Sequence, residues 1–398
     1  MKTKIQSLLL GLALLISCGG ETTIDNSAWE AERELARTAI AEGRLDDAYA
    51  AYGRCIDLAA NTDDPDTFLV RSLNGQGEVA RALGKIGDAV ELYARALDIK
   101  TRQLGADDLS LAVDNSNLAT HLLSAGKLEQ AETRNQEAIR ILETNQGEDH
   151  PDAGIAYNNL GMIAWMRGDL DLARTRFETS IEMLKATRLV RHTDTANAIN
   201  NLAQVSSQLG ELERAEELAR EALEIWIENH GSPSPRAASG HNNLGEILSL
   251  AKRYTESEAE YRVALTMLES MFGANHPEIA TTLINLGLSQ RQQGRYNEAE
   301  ATYIRAATML KGLFGADHPD LAAAEFNLAR LYVAQERYIE SEPHFQEAVR
   351  IYEVSVGENH PNVGRVLLGY VQMLRAAGRD NDANPLADRA EKILGSAS

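Results

Sequence analysis

The sequence predicts an all-α protein built as an array of helical hairpins, and three observations lead to this class. The 398 residues exceed what one compact core usually holds, since domains commonly divide beyond about 250–300 residues. Alanine, leucine, glutamate and arginine, all good helix formers, are abundant, whereas prolines number only 9 and aromatic residues amount to 5%. Similar segments also recur at a fixed interval, which is typical of repeat architectures.

The first residues have the pattern of a secretory signal. Lys2 and Lys4 give a positive start, and residues 5–16 are apolar apart from Gln6 and Ser7. This stretch is shorter than the roughly 20 residues that a membrane-spanning helix needs, but it fits the apolar part of a signal peptide.

The signal ends in Leu-Ile-Ser-Cys at residues 15–18, which resembles the lipobox of bacterial lipoproteins. The resemblance implies that Cys18 is acylated and becomes the mature N-terminus, with 1–17 removed and 18–26 as a lipidated linker. Several acyl chains would hold the protein firmly on a membrane, since each buried methylene contributes about 0.8 kcal/mol. We therefore expect a bacterial envelope protein that faces the periplasm. Gly19, rather than aspartate, favours the outer over the inner membrane.

A Gly-x-x-His-Pro motif marks the repeat. Its last three copies begin 42 residues apart, and an Asn-Leu pair followed by glycine or alanine has the same period. The motif begins at Gly147, Gly273, Gly315 and Gly357. The Asn-Leu pairs begin at Asn117, Asn159, Asn201, Asn243, Asn285 and Asn327. In most units a glycine, expected to form a turn, follows the Asn-Leu pair at a fixed distance. In two units this glycine is replaced, by Lys252 and by Glu336.

These residues fit two helices in each unit. Small residues let the two helices approach closely, and a glycine closes the turn between them. The glycine of Gly-x-x-His-Pro suits a left-handed C-terminal cap, and the proline suits the first position of the next helix. The histidine is then expected to be an N-terminal cap rather than a metal ligand, since equivalent histidines of different units do not converge.

The pattern resembles the tetratricopeptide repeat, and its 42-residue period, in place of the usual 34, resembles the kinesin light chain type. The resemblance implies a right-handed superhelical solenoid of about nine hairpins. We divide it into divergent units over 27–101, regular units over 102–361, and a C-terminal capping unit with its tail over 362–398. Cys55 falls on a small-residue position of the first unit, so we expect it to be buried in packing.

Few sequence features point to catalysis or cofactor binding. The segment from Gly75 to Ala80 matches a dinucleotide-binding pattern, but it lies in a helix without a preceding strand. Asp63, Asp64 and Asp66 lack the alternating ligands of a calcium loop. A formal charge of −20 argues against nucleic acid as a partner. We expect no cofactor, no metal and no enzymatic activity.

The repeated asparagines are the main candidates for a binding site. In tetratricopeptide proteins the first helices line a concave groove, and an amide can donate to and accept from a peptide backbone. The alternative is that the amides hold neighbouring helices together, and the sequence supports both interpretations. The predicted peptide-binding residues are Asn117, Asn159, Asn201, Asn243, Asn285, Asn327, Trp165, Arg291 and Arg330.

Helical spacing places mostly neutral residues in this groove, with Met162, Trp165 and Met166 as one apolar patch. This patch is either an anchor for the partner or part of the packing. Paired lysines that would clamp a chain end are lacking, so we expect an extended internal segment of a partner protein. The predicted function is a membrane-anchored scaffold. The alternatives are an assembly factor for a pilus or secretion machine, as known for pilotins, and an enzyme with an unrecognised site.

Overall fold

The computed structural model describes residues 26–146, 150–186 and 189–395. These residues form eighteen helices and contain no strand, and the helices follow one another as helix–turn–helix pairs. The predicted all-α class and the hairpin repeat are confirmed. The predicted signal peptide and Cys18 lie outside the described residues.

The chain divides into two compact units, and the described parts are 26–127, called unit 1, and 128–395, called unit 2. The predicted divisions at 101/102 and 361/362 concern the regularity of the repeats and stay predictions. Unit 1 consists of α1 (Ser27–Ala41), α2 (Leu45–Ala59), α3 (Pro65–Ala82), α4 (Ile86–Leu104) and α5 (Ser110–Ser124).

Unit 2 contains the remaining thirteen helices described. In its hairpins the odd-numbered member is the first helix and the even-numbered member is the second helix. The helices are α6 (Leu128–Gln146), α7 (Pro151–Met166), α8 (Leu170–Ala186), α9 (Thr193–Gln208), α10 (Leu212–His230), α11 (Pro235–Leu250), α12 (Tyr254–Phe272), α13 (Pro277–Gln292), α14 (Tyr296–Phe314), α15 (Pro319–Ala334), α16 (Tyr338–Val356), α17 (Pro361–Ala376) and α18 (Asp380–Gly395).

Within several hairpins an aromatic ring of the second helix lies flat against a glycine of the first. Tyr261 is 2% exposed, and a Cβ atom added to Gly245 would lie 2.7 Å from its ring. Phe177 packs in the same way on Gly161. The glycine is needed because any side chain would occupy the space of the ring, and interiors at this packing density leave no room for both.

The same packing explains the glycine pair that resembled a dinucleotide-binding pattern. Gly75 lies against the ring of Tyr52, and Gly77 lies against the ring of Tyr93. Both glycines belong to the interior of α3. The two glycines therefore allow α2 and α4 to pack closely against α3.

The histidines before the first helices are N-terminal caps, as predicted. The Nδ1 atom of His276 accepts a hydrogen bond from the backbone N–H of Glu278, at 3.3 Å. His150, His318 and His360 accept equivalent bonds, and so does His192, whose unit has lost the glycine and proline of the motif. Each histidine thus satisfies one of the backbone N–H groups that a helix leaves unpaired at its start.

The turn inside each hairpin requires a left-handed backbone conformation. Gly294 has a φ of +75°, and Lys252 and Glu336 adopt the same conformation in their own turns, with φ of 60° and 58°. Side chains with a Cβ atom rarely adopt this conformation because the Cβ crowds the following carbonyl.

We expect the substitution Lys252→Gly to raise the free energy of unfolding by about 1 kcal/mol, because it removes this crowding. The matched control is Gly294→Lys, which places lysine in the equivalent turn, also before an Arg-Tyr pair, and should lower it by a similar amount. Urea unfolding followed by circular dichroism measures both. A loss of stability in Lys252→Gly would contradict the explanation.

Arginine–glutamate pairs join successive hairpins of unit 2 on the side of the turns, and we call them the ionic rungs. In each, an arginine of one turn binds a glutamate 37 residues earlier, on the second helix of the preceding hairpin. The rungs are Arg253–Glu216, Arg295–Glu258, Arg337–Glu300 and Arg379–Glu342. One rung is reversed: Arg174 occupies the place of the glutamate and Glu211 that of the arginine, at 3.1 Å.

The rung at Glu258 is the most buried, because this glutamate is only 5% exposed. Burial alone would raise the pKa of Glu258, but hydrogen bonds from Arg262 and Gln293 and the charge of Arg295 lower it overall. The charged carboxylate therefore depends on its partners.

We expect Arg295→Ala to lower the free energy of unfolding by about 2 kcal/mol, since a buried carboxylate loses a charge-assisted hydrogen bond. The control Arg305→Ala removes an exposed pair with Glu269 and should cost about 0.5 kcal/mol. Because folding lowers the pKa of Glu258, the contribution of the rung is present at neutral pH and is lost as the pH falls through the pKa of the folded state. The difference between wild type and Arg295→Ala should therefore shrink in acid, and a difference that grew would contradict this account.

Candidate peptide-binding groove

The first helices of unit 2 lie closer to one another than the second helices do. Consecutive first helices are near enough for short asparagine side chains to hydrogen-bond across the junction. Consecutive second helices are bridged by long side-chain pairs, such as Arg214 with Glu178 and Arg305 with Glu269. The first helices therefore line the inner face of the unit 2 array, and we call this face the groove.

Three side-chain hydrogen bonds, which we call the amide rungs, join consecutive first helices from α7 to α13. Each is donated by an asparagine of the Asn-Leu pairs or by the asparagine just before it. The bonds run from Asn201 Nδ2 to Asn158 Oδ1 (3.0 Å), from Asn243 Nδ2 to Asn200 Oδ1 (2.8 Å) and from Asn242 Nδ2 to Thr282 Oγ1 (2.9 Å). The interpretation that these amides hold neighbouring helices together is confirmed for Asn201 and Asn243.

The amide rungs leave hydrogen-bonding capacity unused. Asn201 and Asn243 are half-buried, and each rung occupies one of the two N–H donors of its asparagine. Because the rung fixes the amide plane, the second N–H group and the carbonyl oxygen are held in place. A structural role therefore does not exclude contact with a partner.

The other repeated asparagines that were predicted to bind a peptide differ in their surroundings. Asn159 is 6% exposed and donates to Asn135 of α6 at 3.2 Å, so the structure places it in helix packing. Asn327 donates to a carbonyl of its own helix at 2.9 Å. Asn285 is half-buried and makes no side-chain hydrogen bond within the described residues, and Asn117 is exposed in unit 1. The repeated asparagines are thus regularly spaced in the sequence, but their side-chain hydrogen bonds differ from unit to unit.

The Met–Trp patch is divided between packing and exposure. Trp165 is half-buried among the side chains of α7, α8 and α9, and its indole N–H donates to Gln208 Oε1 at 3.0 Å. Met162 packs against the same cluster. Met166 is 52% exposed. The patch is therefore partly a structural contact, with one side chain left open to solvent.

A small polar cleft of about 310 Å³ opens between α11 and α13. It contains Asn243 and Asn285 together with the carboxylate of Glu246. Burial raises the pKa of Glu246, and no cation offsets this effect. The cleft thus combines neutral amides with the carboxylates of two glutamates, Glu246 and Glu278. Its other lining residues are Ser239, Asn242 and Thr281.

Arg291 and Arg330 lie on consecutive first helices, α13 and α15. Burial and then the charge of Arg291 lower the pKa of Arg330, and both arginines lie near the hydroxyl of Tyr303 on α14. The structure thus brings together two of the predicted site residues that are 39 positions apart in the sequence. The tyrosine is a member of this group that the sequence analysis missed.

Unit 1 contains a separate cleft of about 620 Å³, which the sequence analysis also missed. Tyr93 donates to Glu78 at 2.7 Å and stacks on His121 with ring centroids 4.3 Å apart. Burial lowers the pKa of His121, while the charge of Glu78 opposes this. Lys100 is paired with Asp114. The sequence signal that could have located this cluster is Gly77, a glycine inside a predicted helix, which in the structure lies against the ring of Tyr93.

The remaining candidate sites have structural explanations. Asp64 caps α3 by accepting from the backbone N–H of Thr67 at 3.3 Å, and Asp63 accepts from Asn26 at 2.8 Å. Cys55 is buried as predicted, and burial raises the pKa of its thiol to about 11. Within 26–146, 150–186 and 189–395 there is no cluster of three or more potential metal ligands. No helix in these ranges has the length and apolar character of a membrane span.

The fold and the groove define the class of the protein as an α-helical repeat protein, and comparison with known sequences gives its family. The tetratricopeptide repeat profile matches in six overlapping or consecutive segments that together cover most of the chain. The chain therefore belongs to the tetratricopeptide repeat family. The matched residues are 28–102, 104–186, 194–270, 236–312, 278–353 and 320–396. No curated protein sequence matches the chain.

Solved structures similar to this chain include BtubC (BKLC) from P. vanneervenii, which is 26% identical over 58% of this chain and 92% of that one, with a TM-score of 0.52. A Rap protein complexed with Competence and Sporulation Factor is 13% identical over 94% and 99%, with a TM-score of 0.56. The nearly identical repeats of a kinesin light chain-type protein from Podosopora anserina are 17% identical over 52% and 99%, with a TM-score of 0.46.

Proposed function

We propose that the protein is a non-enzymatic scaffold that binds an extended segment of a partner protein in the groove of unit 2. The observation that carries this proposal is the set of half-buried amides on consecutive first helices, with donors and acceptors left over from the amide rungs. Packed helices lie about 8–10 Å apart, and an extended chain advances about 3.3 Å per residue. One amide would therefore meet every third residue of a bound segment.

Two further facts favour binding over catalysis. The amides are neutral and recognise a peptide backbone whatever its side chains are. The Rap protein of similar fold is complexed with Competence and Sporulation Factor. The likeness to that protein concerns the fold, and the binding activity of this chain is our inference from the groove.

We also propose that acylation of Cys18 anchors the protein to the bacterial envelope, facing the periplasm and at the outer membrane rather than the inner. The lipobox-like residues 15–18 and Gly19 support this proposal. A groove held on a membrane would recruit its partner to the surface of that membrane.

The partner can be captured by placing a photo-crosslinking amino acid in the groove. Thr281 is exposed and lines the cleft with Asn243 and Asn285, whereas Asn297 is exposed on α14, a second helix. We expect crosslinked products from position 281 and none from position 297. Products from position 297 alone would place the binding surface outside the groove.

With the captured partner, replacing Asn201, Asn243 and Asn285 together by alanine should weaken binding cumulatively, by about 0.5–1.5 kcal/mol for each amide. The loss should depend little on salt because no charge is removed. Asn285→Ala separates the two roles, since Asn285 takes part in no amide rung: it should weaken binding and leave the melting temperature unchanged. A folded triple mutant with unaltered affinity would defeat the groove proposal.

A further inference from the structure

We propose that Arg291 and Arg330, together with the Tyr303 hydroxyl, form a subsite in the groove that binds the carboxylate of an acidic side chain of the bound segment. This inference rests on the proposed peptide binding and adds a chemical requirement for the partner. It concerns α13, α14 and α15 of unit 2.

The three side chains have unused hydrogen-bond donors at one place. The Nε atom of Arg291 and the hydroxyl of Tyr303 are buried, and neither makes a well-formed hydrogen bond within the described residues. The guanidinium group of Arg291 does lie beside the Tyr303 hydroxyl oxygen, and it leaves the O–H of the tyrosine free to donate. Tyr303 as a whole is 0% exposed. Buried donors are almost always paired, because a donor without a partner loses its hydrogen bonds to water without replacement. A ligand with acceptor atoms would complete this site.

The two guanidinium groups also lack a counter-charge. In the described part of the chain neither Arg291 nor Arg330 forms an ion pair, although glutamates are abundant. Burial, and then the charge of Arg291, lower the pKa of Arg330. Arg295, only four residues after Arg291, is paired with Glu258 and Glu298. Within the described residues, Arg291 and Arg330 thus differ from Arg295 in having no paired carboxylate.

The hairpin packing explains why the tyrosine hydroxyl reaches this place. The ring of Tyr303 lies on Gly287, where an added Cβ would be 2.6 Å from the ring. Burial raises the pKa of Tyr303 to about 12 against the opposing charges of Arg291 and Arg330 and a side-chain interaction with Arg291, so the hydroxyl remains a hydrogen-bond donor at neutral pH. Tyr261 has the equivalent position in the preceding hairpin, where the nearby charge is Glu246.

A carboxylate is the ligand that matches this geometry best. A guanidinium group presents parallel N–H donors that fit the two oxygens of a carboxylate, and two guanidinium groups need an anion between them. The groove continues past the subsite to α17, so a segment can extend beyond it in both directions. We therefore assign the carboxylate to a side chain within the segment rather than to a chain end.

The test uses the purified full-length protein and nuclear magnetic resonance of the arginine Nε–Hε groups. The probes are N-acetyl-glutamate N-methylamide, its neutral glutamine counterpart, and N-acetyl-alanine, whose carboxylate stands for a chain end. We expect the glutamate probe to shift the Arg291 signal in a saturable manner, and the glutamine probe to leave it in place. Equal or tighter binding of N-acetyl-alanine would overturn the assignment to a side chain.

Variants separate this subsite from the rest of the groove. Arg330→Gln and Tyr303→Phe should weaken binding of the glutamate probe, by about tenfold for Arg330→Gln, since a charge-assisted bond is lost. Arg375 lies two units after Arg291 at the equivalent position, and Arg375→Gln is the matched control, with no expected change. Arg330→Gln should not lower the melting temperature, because it removes a repulsion, whereas a purely structural arginine would give a drop.

The outcomes distinguish this inference from the proposed function. If the glutamate probe gives no saturable shift, the subsite is wrong even when partner binding depends on Asn285. If the probe binds, and Asn285→Ala changes neither the affinity for the probe nor the affinity for the partner, the subsite stands and the proposed binding role of the repeated asparagines fails.

Discussion

Replacing Gly245 by leucine is expected to lower the free energy of unfolding of unit 2 by about 3 kcal/mol, at the upper end of what overpacking usually costs. The reason is the ring of Tyr261, which would lie 2.7 Å from the first atom of the new side chain. Leucine is a better helix former than glycine by about 0.8 kcal/mol, which offsets only part of this cost.

The matched control is Gly312→Leu. Gly312 lies inside α14, and a Cβ atom there would have no neighbour within 4 Å, so the helix propensity of leucine should raise stability slightly. Hydrogen exchange should show that Gly245→Leu loosens mainly α11, α12 and the helices next to them, since each repeat contacts only its neighbours. Uniform loosening of all of unit 2, or equal effects of the two substitutions, would contradict this explanation.

Replacing Cys18 by alanine is expected to remove the protein from the membrane fraction. Acyl chains on this cysteine would supply the membrane affinity, since each buried methylene contributes about 0.8 kcal/mol. Labelling of cells with radioactive palmitate, followed by separation of membranes from soluble protein, measures both acylation and attachment.

Cys55→Ala is the control for this experiment, because the Cys55 thiol is buried and cannot be acylated in the folded protein. It should keep both the label and the membrane attachment. Label and membrane attachment that persisted in Cys18→Ala would show that the lipobox interpretation is wrong.

Features that depend on the local backbone were predictable from the sequence. His276 precedes a proline at a helix start, and the backbone at such a position is extended enough for the histidine to cap the helix. The repeat places Lys252 at a turn position that is glycine in most other units, and in the structure Lys252 adopts the left-handed backbone conformation of those glycines. Cys55 was placed correctly because its position in the repeat is a buried one.

Features that depend on side-chain direction between helices were not predictable. The sequence contains Asn-Asn pairs, and the period alone does not tell which member donates to the next helix. Asn201 reaches Asn158 rather than Asn159, a separation of 43 residues, because the rung joins different positions on the two helices. Asn159 faces α6 instead. The buried hydroxyl of Tyr303 beside Arg291 likewise depends on the hairpin crossing, which the repeat pattern does not specify.

The reversed ionic rung restricts how the number of repeats can change during evolution. Loss of the 42 residues 277–318 would bring Glu258 to Arg337, and the rung between the newly joined hairpins would keep its opposite charges. Loss of 193–234 would instead bring Arg174 to Arg253, two cations at one junction. The copies on the C-terminal side of this junction are therefore electrostatically interchangeable, whereas the hairpin that carries Glu211 has a fixed place in the order.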